Sequence, residues 1–308
     1  MLNTEVDKYE QPATNNEQPK KVKQVAIQGI QGSNHYIVSQ HYFGKQVSLQ
    51  ECLSFDVLVD CINSGHCNYG IMALENTIAG SIIPNYALID QNNLTISGEY
   101  YLNIHHHLMA LPNQGIEDIT EVWSHPMALL QCKEFFKQYK HIKLVEDVDT
   151  AEVAKRIAEK GLQGIAAIAP KIAADIFGLN VIEDEIQTIK NNATRFVIVQ
   201  KNTSTNKRLL GEAEVNKASL KFELDHNRGS LAAMLNVMSD CKLNLTKIQS
   251  LPKIETPWKY AFFVDVTFDA YQDYKKAKAI IEIMALEFKI LGEYKNARPQ
   301  SGFGKSAE

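Results

Sequence analysis

Long apolar runs are missing from this sequence, and no stretch approaches the roughly 18 residues that a membrane-spanning helix needs. Residues 1–21 are polar and lack the apolar segment of a signal peptide. Cysteine is also scarce, since the 308 residues contain only five. They are Cys52, Cys61, Cys67, Cys132 and Cys241. Their odd number and scattered positions favour a reducing compartment over a disulfide framework, so we expect a cytoplasmic protein with a disordered N-terminal tail.

Neither sign of charge dominates, because 36 acidic residues face 32 basic ones and the net charge is −4. No block of lysine and arginine stands out, so the sequence gives no indication of a nucleic-acid or membrane partner. An anionic substrate is still compatible with this balance, because local donors decide its binding. Cys61, His66 and Cys67 lie close together, but no second group of ligands matches them, and we expect no metal site.

The length suits two domains. From residue 22 to about residue 203, short apolar strands alternate with helical stretches, which predicts an α/β domain with mainly parallel strands. Residues 204–216 are polar and read as a linker. Residues 217–297 then follow the order strand, helix, strand, strand, helix, strand, which predicts a ferredoxin-like unit, and residues 298–308 read as a tail.

Two polar motifs follow apolar strands in the first half of the chain. Gly29, Gly32 and Ser33 form a strand–helix turn that could hold a carboxylate at the new helix N-terminus, or could simply place Ser33 as an N-cap. The second motif runs from Glu75 through Asn76 and Thr77 to Gly80-Ser81. So many polar groups beside a core need partners, and either a ligand or a structural network would supply them.

Further polar motifs lie beyond the middle of the domain. Ser124 precedes a helix that Pro126 opens, and Gln131 lies two turns further along the same stripe. Capping and a solvated helix face are the alternatives for these two. The run Asp149 to Glu152 is typical of a capping box, so we assign Glu152 no catalytic role. In the turn Asn191 to Phe196, Thr194 and Arg195 should point apart on a regular strand, unless the strand start is frayed.

These motifs, in this order, resemble those of prephenate dehydratases. The matching segments are Gly29-x-x-Gly32-Ser33, Glu75-Asn76-Thr77 with Gly80-Ser81, Ser124-His125-Pro126 with Gln131-Cys132, Thr150-Ala151-Glu152, Ala166 to Ala169, Gly178-Leu179 and Thr194-Arg195-Phe196. The C-terminal unit resembles the ACT domain of the same enzymes. That match is carried by Gly229-Ser230-Leu231, Asn244 to Ile248, Pro257-Trp258 and Phe262 to Asp265.

The resemblance implies a catalytic domain of two lobes, similar to periplasmic-binding-protein-type folds, with the active site between them. The first lobe would be about residues 22–101 plus 191–200, and the second about residues 102–190. It further implies decarboxylating dehydration of prephenate to phenylpyruvate in phenylalanine synthesis, without metal or organic cofactor. The N-terminal tail is expected to be too short for the chorismate mutase that some relatives carry, which makes the enzyme monofunctional.

The resemblance also implies roles for single residues. Catalytic roles fall to Thr194, Glu75, Asn76, Ser124 and Gln131, with Thr194 as an oriented hydrogen-bond donor. Substrate-binding roles fall to Ser33, Thr77, Arg195 and Gly32. Allosteric binding of L-phenylalanine falls to Asn227, Gly229, Ser230, Leu231, Asn244 and Leu245, within a homo-oligomer (dimer or tetramer) assembled through the ACT domains.

Three segments depart from the family pattern. Asn34-His35 replaces the usual Phe-Ser, Thr77 replaces Ser, and Gln249-Ser250-Leu251-Pro252 stands where the family has Glu-Ser-Arg-Pro. The last change leaves the strength of phenylalanine inhibition open. The alternatives are an arogenate dehydratase, which the sequence does not separate from a prephenate dehydratase, and a non-catalytic metabolite-sensing binding protein.

Overall fold

The computed structural model describes residues 23–203, 211–253 and 259–299. The expected N-terminal tail, residues 204–210 of the linker, Pro257-Trp258 and residues 300–308 of the C-terminal tail lie outside the described residues.

Strands and helices alternate through the first part of the chain, as the sequence predicts. The first segment contains β1 (Gln24–Gln28), α1 (Asn34–Phe43), β2 (Ser48–Cys52), α2 (Phe55–Asn63), β3 (Tyr69–Asn76), β4 (Gly80–Ser81), α3 (Ile83–Gln91) and β5 (Leu94–Asn103). The second contains β6 (His107–Ala110), β7 (Glu121–Ser124), α4 (Pro126–Cys132), β8 (Lys143–Glu146), α5 (Thr150–Lys160), β9 (Ile165–Ala169), α6 (Lys171–Phe177) and β10 (Asn180–Glu183).

The chain then returns to the first segment through β11 (Ala193–Lys201) before it enters the C-terminal unit. That unit contains β12 (Lys217–Glu223), α7 (Ser230–Asp240), β13 (Asn244–Pro252), β14 (Tyr260–Thr267), α8 (Tyr271–Met284) and β15 (Glu287–Tyr294). The strand order β13-β14-β12-β15 is that of a ferredoxin-like sheet. The predicted α/β fold, with two lobes followed by a ferredoxin-like unit, is confirmed. The expectation of mainly parallel strands is wrong, because β5, β6, β10 and β11 pair antiparallel within the lobes.

Each lobe is built on its own sheet. In the first lobe, β1 pairs with β2 and β3 in parallel, and β11 lies antiparallel between β3 and β5. In the second lobe, β7 pairs in parallel with β8 and β9. Helices follow most of these parallel strands, so their N-termini collect at the carboxyl edges of both sheets, where ligands bind in such folds.

The sheet of the first lobe continues into the C-terminal unit. Strand β15 pairs in parallel with β5 at a single position, Gly292 with Ile96. A Cβ atom on Gly292 would lie 2.2 Å from the carbonyl oxygen of Ile96, so only glycine allows this approach. Beside the junction, Phe263 and Tyr294 are buried in one apolar cluster with Leu94 and Ile96. The first lobe and the C-terminal unit therefore share a core.

Two residues of the sequence set where α5 begins and ends. Asp149 caps α5, because its Oδ1 accepts the N–H of Glu152 at 3.0 Å, and Gly161 ends the helix in the left-handed conformation.

Within the described ranges, no helix has both the length and the apolar character that a membrane crossing requires.

Candidate active site

A cavity of about 590 Å³ lies between the two lobes and is lined by residues of both. The first lobe contributes Ser33, His35, Asn76 and Thr194, and the second contributes His106 and Gln131. This volume is in the usual range for a small-molecule site. Ser33, Asn76, Gln131 and Thr194 are the sequence-predicted residues that the structure brings together here.

Thr194 lies near the start of β11 and pairs with Asn76 on β3. Its side chain is 7% exposed, and its Oγ1 accepts a hydrogen bond of 2.9 Å from Asn76 Nδ2. The orientation of the Asn76 amide is fixed, because its Oδ1 accepts the backbone N–H groups of Ile78 at 2.9 Å and Ala79 at 2.8 Å. With Asn76 as donor, the Thr194 hydroxyl hydrogen is left free to be donated into the cavity.

A chain of side-chain hydrogen bonds continues from Asn76 into the second lobe. Asn76 Nδ2 also donates to Asn192 Oδ1 at 2.7 Å, and Asn192 Nδ2 donates to Gln131 Oε1 at 2.9 Å. The same oxygen of Gln131 lies 2.8 Å from His106 Nε2. The two lobes are thus connected by polar groups at the floor of the cavity, beside Thr194.

Helix N-termini face this cavity from both lobes. The capping residues of α1, α2, α4 and α5 all line it, as does Ile82 before α3; the caps are Ser33, Ser54, His125 and Asp149. The only charged side chains among the lining residues that the structure describes are the carboxylates Asp56 and Asp149. An anion in this cavity would therefore be held by peptide dipoles and neutral donors instead of lysine or arginine.

Arg195 does not reach this cavity, which corrects the prediction that it binds the substrate. Its neighbour Thr194 faces the cavity, and successive residues of a strand point to opposite faces. Arg195 is 3% exposed, and its guanidinium donates to Glu99 at 2.7 Å, to Asp265 and to the Tyr294 hydroxyl at 2.8 Å. Its partners Asp265 and Tyr294 belong to the C-terminal unit, so Arg195 joins that unit to the first lobe.

The charges around Arg195 are buried but compensated. Burial opposes ionisation of Arg195, yet Asp265 and Glu99 raise its pKa well above the usual value. Burial likewise opposes the charge of Asp265, but Arg195 and Lys217 lower the pKa of this carboxyl. Lys217 completes the group with a hydrogen bond of 2.7 Å to Glu99. Such a network is costly to break, because each partner would leave an unpaired charge behind.

Glu75 and Thr77 do not line the cavity between the lobes. Side chains alternate along the strand, and Asn76 between them faces that cavity. Both line a smaller cavity of about 150 Å³ between the first lobe and the C-terminal unit. Glu75 accepts a hydrogen bond of 2.7 Å from Lys247, and Thr77 Oγ1 accepts the N–H of Ala193 at 2.9 Å. The structure thus gives Glu75 a contact with the C-terminal unit and Thr77 a structural bond, and neither lines the inter-lobe cavity, so their positions do not support the catalytic and binding roles predicted for them.

Ser124 and Gly32 have structural positions. Ser124 is fully buried and donates to the Ile168 carbonyl at 2.7 Å, so it does not line the cavity, contrary to its predicted catalytic role. Gly32 has a φ of +90°, and a Cβ there would lie 3.2 Å from Ala173 of the second lobe. Its part is therefore to allow the two lobes to approach, and it is not among the described residues that line the cavity.

Sequence reasoning missed His35, His106 and Asn192. His35 is 8% exposed and packs edge-on against Phe55 and Phe196, and burial lowers its pKa to about 4. His106 belongs to a run of three histidines, and Asn192 belongs to the polar turn before Thr194. Position in a polar turn was a usable signal for Asn192. Nothing in the sequence shows which of three consecutive histidines faces a cavity.

The predicted phenylalanine-binding residues fall into two groups. Asn227, Ser230 and Leu231 line a cavity of about 150 Å³, beside Gly229, which begins α7 in the left-handed conformation. Asn244 and Leu245 lie at the start of β13, whereas Tyr260 of this cavity pairs with Pro252 at the other end of that strand. Within the described chain, the structure therefore does not bring Asn244 and Leu245 to the first group. No cluster of three or more His, Cys, Asp or Glu side chains suited to a metal occurs among the described residues either.

The two-lobed part of the chain matches a known protein family. Residues 25–204 match the family model described as prephenate dehydratase. The chain is 31% identical over 280 residues to the chloroplastic arogenate dehydratase/prephenate dehydratase 2 of Arabidopsis thaliana, covering 88% of this chain and 72% of that protein.

Solved structures share the fold over nearly the whole chain. The prephenate dehydratase of Arthrobacter aurescens, described as a complex with L-Phe, has a TM-score of 0.79 at 22% identity and covers 89% of this chain and 90% of its own. GqqA, described as a novel type of quorum quenching acylase, has a TM-score of 0.80 at 22% identity and covers 90% of this chain and 99% of its own. At these identities the structural likeness establishes the fold alone.

Proposed function

This chain belongs to the prephenate dehydratase family, and from that membership we propose that it converts prephenate to phenylpyruvate, with loss of carbon dioxide and water, in phenylalanine synthesis. Enzymes of this family are lyases. The observation that carries the proposal is the Thr194 hydroxyl, which is held by Asn76 as an acceptor and is free to donate into a cavity between two lobes.

The proposed reaction depends on the hydrogen bond that the Thr194 hydroxyl can donate to the leaving group. The C–C bond to the ring carboxylate breaks, its electron pair enters the ring, and the C–O bond to the ring hydroxyl breaks as the ring becomes aromatic. The leaving oxygen gains negative charge and needs a proton to depart as water. Thr194 supplies an oriented hydrogen bond at that point, and solvent supplies the net proton, because a threonine hydroxyl is a poor acid. Aromatisation drives the step, so we propose that turnover needs no metal or organic cofactor.

The lining of the cavity suits a substrate that must lose a carboxylate. A cation beside the ring carboxylate would stabilise the ground state more than the transition state, in which that charge disappears. The described lining of the cavity has helix N-termini, amides and histidines, and its only charged groups are carboxylates. We therefore place both carboxylates of prephenate against backbone N–H groups and neutral donors such as Ser33.

The experiment that tests this function is turnover of the purified chain on prephenate and on arogenate. Formation of phenylpyruvate from prephenate is expected, and faster formation of phenylalanine from arogenate would make the chain an arogenate dehydratase instead, as in the name of one relative. Binding of either compound without turnover would contradict the proposal and identify a non-catalytic sensing protein.

We also propose that L-phenylalanine regulates the enzyme through the C-terminal unit, acting as an ACT domain within a homo-oligomer (dimer or tetramer). Support comes from the similar structure described as an L-Phe complex and from the cavity beside Asn227, Ser230 and Leu231. Strand β13 lies at the edge of its sheet, and Ile283 on α8 is 85% exposed, which fits contact with a second copy. Titration with phenylalanine while rate and oligomer size are measured tests this, and no response of either would contradict it.

The cellular location is proposed to be the cytoplasm. All five cysteines are free, which fits a reducing compartment. Cell fractionation with an antibody against the chain checks this, and recovery in an exported or organelle fraction would contradict it.

A further inference from the structure

The hydrogen-bond chain at the floor of the cavity has a direction that its backbone anchors determine. Backbone N–H groups only donate, so the oxygen of the Asn76 amide must face Ile78 and Ala79, and its nitrogen must face Asn192 and Thr194. Asn192 then meets Asn76 with its oxygen and Gln131 with its nitrogen. Gln131 consequently presents an oxygen to His106.

This direction fixes the tautomer of His106. Its Nε2 lies 2.8 Å from an amide oxygen that only accepts, so Nε2 must carry the hydrogen. In the neutral ring, Nδ1 is then a bare lone pair. Burial lowers the pKa of His106, which keeps the ring neutral at pH 7.

Nδ1 of His106 is a buried acceptor with no partner among the described residues. The residue is 5% exposed and lines the inter-lobe cavity. Buried polar atoms are nearly always paired, so an enclosed, unpaired acceptor on a residue that lines a cavity points to a hydrogen-bond donor on the ligand.

We propose that His106 Nδ1 accepts a hydrogen bond from the ring hydroxyl of the substrate, an inference that rests on the proposed function. The ring hydroxyl is the one hydrogen-bond donor of prephenate at neutral pH, because its two carboxylates and its ketone only accept. The hydroxyl would donate to His106 and accept from Thr194, so the two ends of one hydrogen-bond chain hold the departing group with its lone pair toward Thr194. His106 is thus a binding residue that selects substrates by this hydroxyl.

The test uses a pair of non-reacting ligands, the cyclohexane analogue of prephenate with its hydroxyl and the same compound without it. Calorimetry on the full-length chain gives the affinity ratio of the pair. We expect the hydroxyl compound to bind about 10-fold to 100-fold more tightly, and His106→Leu to reduce this ratio by about 10-fold. An unchanged ratio in His106→Leu would overturn the inference.

His125→Asn is the matched control. His125 lines the same cavity, but its Nδ1 already accepts the N–H of Met127 at 3.2 Å, and asparagine is a good replacement cap. The affinity ratio should therefore stay at the wild-type value in this variant, and an equal loss in both variants would contradict a specific role for His106.

Nitrogen NMR of the wild-type protein, labelled at histidine, serves if His106→Leu does not fold. The bare Nδ1 signal of His106 should shift with the hydroxyl compound and not with its deoxy partner. Equal shifts with both would overturn the inference. Phenylpyruvate formation by the wild-type chain separates the His106 role from the proposed function. If the wild type is active and His106→Leu keeps the hydroxyl preference, only the His106 role is refuted. If the wild type shows no turnover, the proposed function is refuted.

Discussion

At the scale of single residues, the Thr194 hydroxyl is prepared for its role by an amide that cannot turn. Two backbone N–H groups hold the oxygen of Asn76, and its nitrogen therefore faces Thr194. The donor is oriented before the substrate arrives, so no reorganisation is needed when charge develops on the leaving oxygen.

Replacing Thr194 by valine removes this donor and keeps the shape of the side chain. We expect kcat to fall by about 10²–10³-fold, while the dissociation constant of a non-reacting analogue without the ring hydroxyl changes little. Steady-state kinetics and calorimetry measure the two quantities. Thr267→Val in the C-terminal unit is the control, and its turnover should match wild type. Retention of more than half of kcat in Thr194→Val would remove Thr194 from the mechanism.

His35 makes stability depend on pH. Burial lowers its folded-state pKa to about 4 from 6.5. Between these values the unfolded ring binds a proton that the folded ring does not, so its contribution is complete above pH 6.5 and is lost as the pH falls toward 4. The loss is up to about 3 kcal/mol.

Urea unfolding at a series of pH values checks this, with His35→Gln as the variant. We expect the wild-type free energy of unfolding to fall more steeply between pH 6.5 and 4 than that of His35→Gln. His66→Gln changes an exposed histidine and should keep the wild-type slope. Parallel curves for wild type and His35→Gln would contradict a buried neutral histidine.

At the scale of elements, β11 separates two functions by alternation. Thr194 points into the inter-lobe cavity, and Arg195 points to the C-terminal unit. The strand therefore carries the catalytic donor on one face and the ionic contact with the C-terminal unit on the other.

Arg195→Met should show that this residue is structural. Removing one partner of a buried ion network leaves carboxylates unpaired, and we expect a loss of about 3–5 kcal/mol in the free energy of unfolding. Arg156→Met removes a partly exposed pair with Asp147 and should cost at most about 1 kcal/mol. For Arg195→Met protein that remains folded, KM should stay within about 2-fold of wild type. A large rise in KM with unchanged stability would restore Arg195 as a substrate ligand.

The same strand shows what sequence can and cannot provide. Apolar alternation predicted the strands and the ferredoxin-like order, whereas the four predicted residues at the cavity, Ser33, Asn76, Gln131 and Thr194, came from the family resemblance. Alternation also predicted that Thr194 and Arg195 separate, but it could not say which of them faces the ligand. That choice depends on Asp265 and Tyr294, which are about 70 and 99 residues further along the chain. Glu75 was misplaced for the same reason, since Lys247 is its distant partner.

At the scale of the whole molecule, the C-terminal unit is part of the first lobe's core. Phe263 and Tyr294 share a cluster with Ile96, and one sheet runs across both parts. The C-terminal unit is therefore joined to β5 and β11 by packed and ionic contacts among the described residues.

Gly292→Ala tests this junction. The new methyl group would meet the Ile96 carbonyl, so β15 and β5 must separate, and we expect the thermal unfolding midpoint to fall by about 5 °C or more with lower turnover. Gly115→Ala is the control, because its nearest neighbour would be a side-chain oxygen at 3.8 Å. Equal midpoints for the two variants would show that the junction contributes nothing to stability.

The KM for prephenate should be insensitive to salt if helix N-termini and neutral donors hold the substrate. We expect KM for prephenate to change by less than about 2-fold between about 50 and 500 mM KCl, because hydrogen bonds at contact distance are screened little. Steady-state kinetics across this range measure it, and a roughly 10-fold rise would indicate a lysine or arginine at the site.

The described residues that line the cavity include no lysine or arginine, and this also bears on how the substrate arrives. A dianion that approaches two carboxylates gains no long-range attraction, so encounter proceeds at the rate of ordinary diffusion and docking, and residence is decided after entry. Many small anions can therefore enter such a cleft without electrostatic steering. The anion whose polar atoms all form hydrogen bonds dissociates most slowly, so selectivity lies in the dissociation rate.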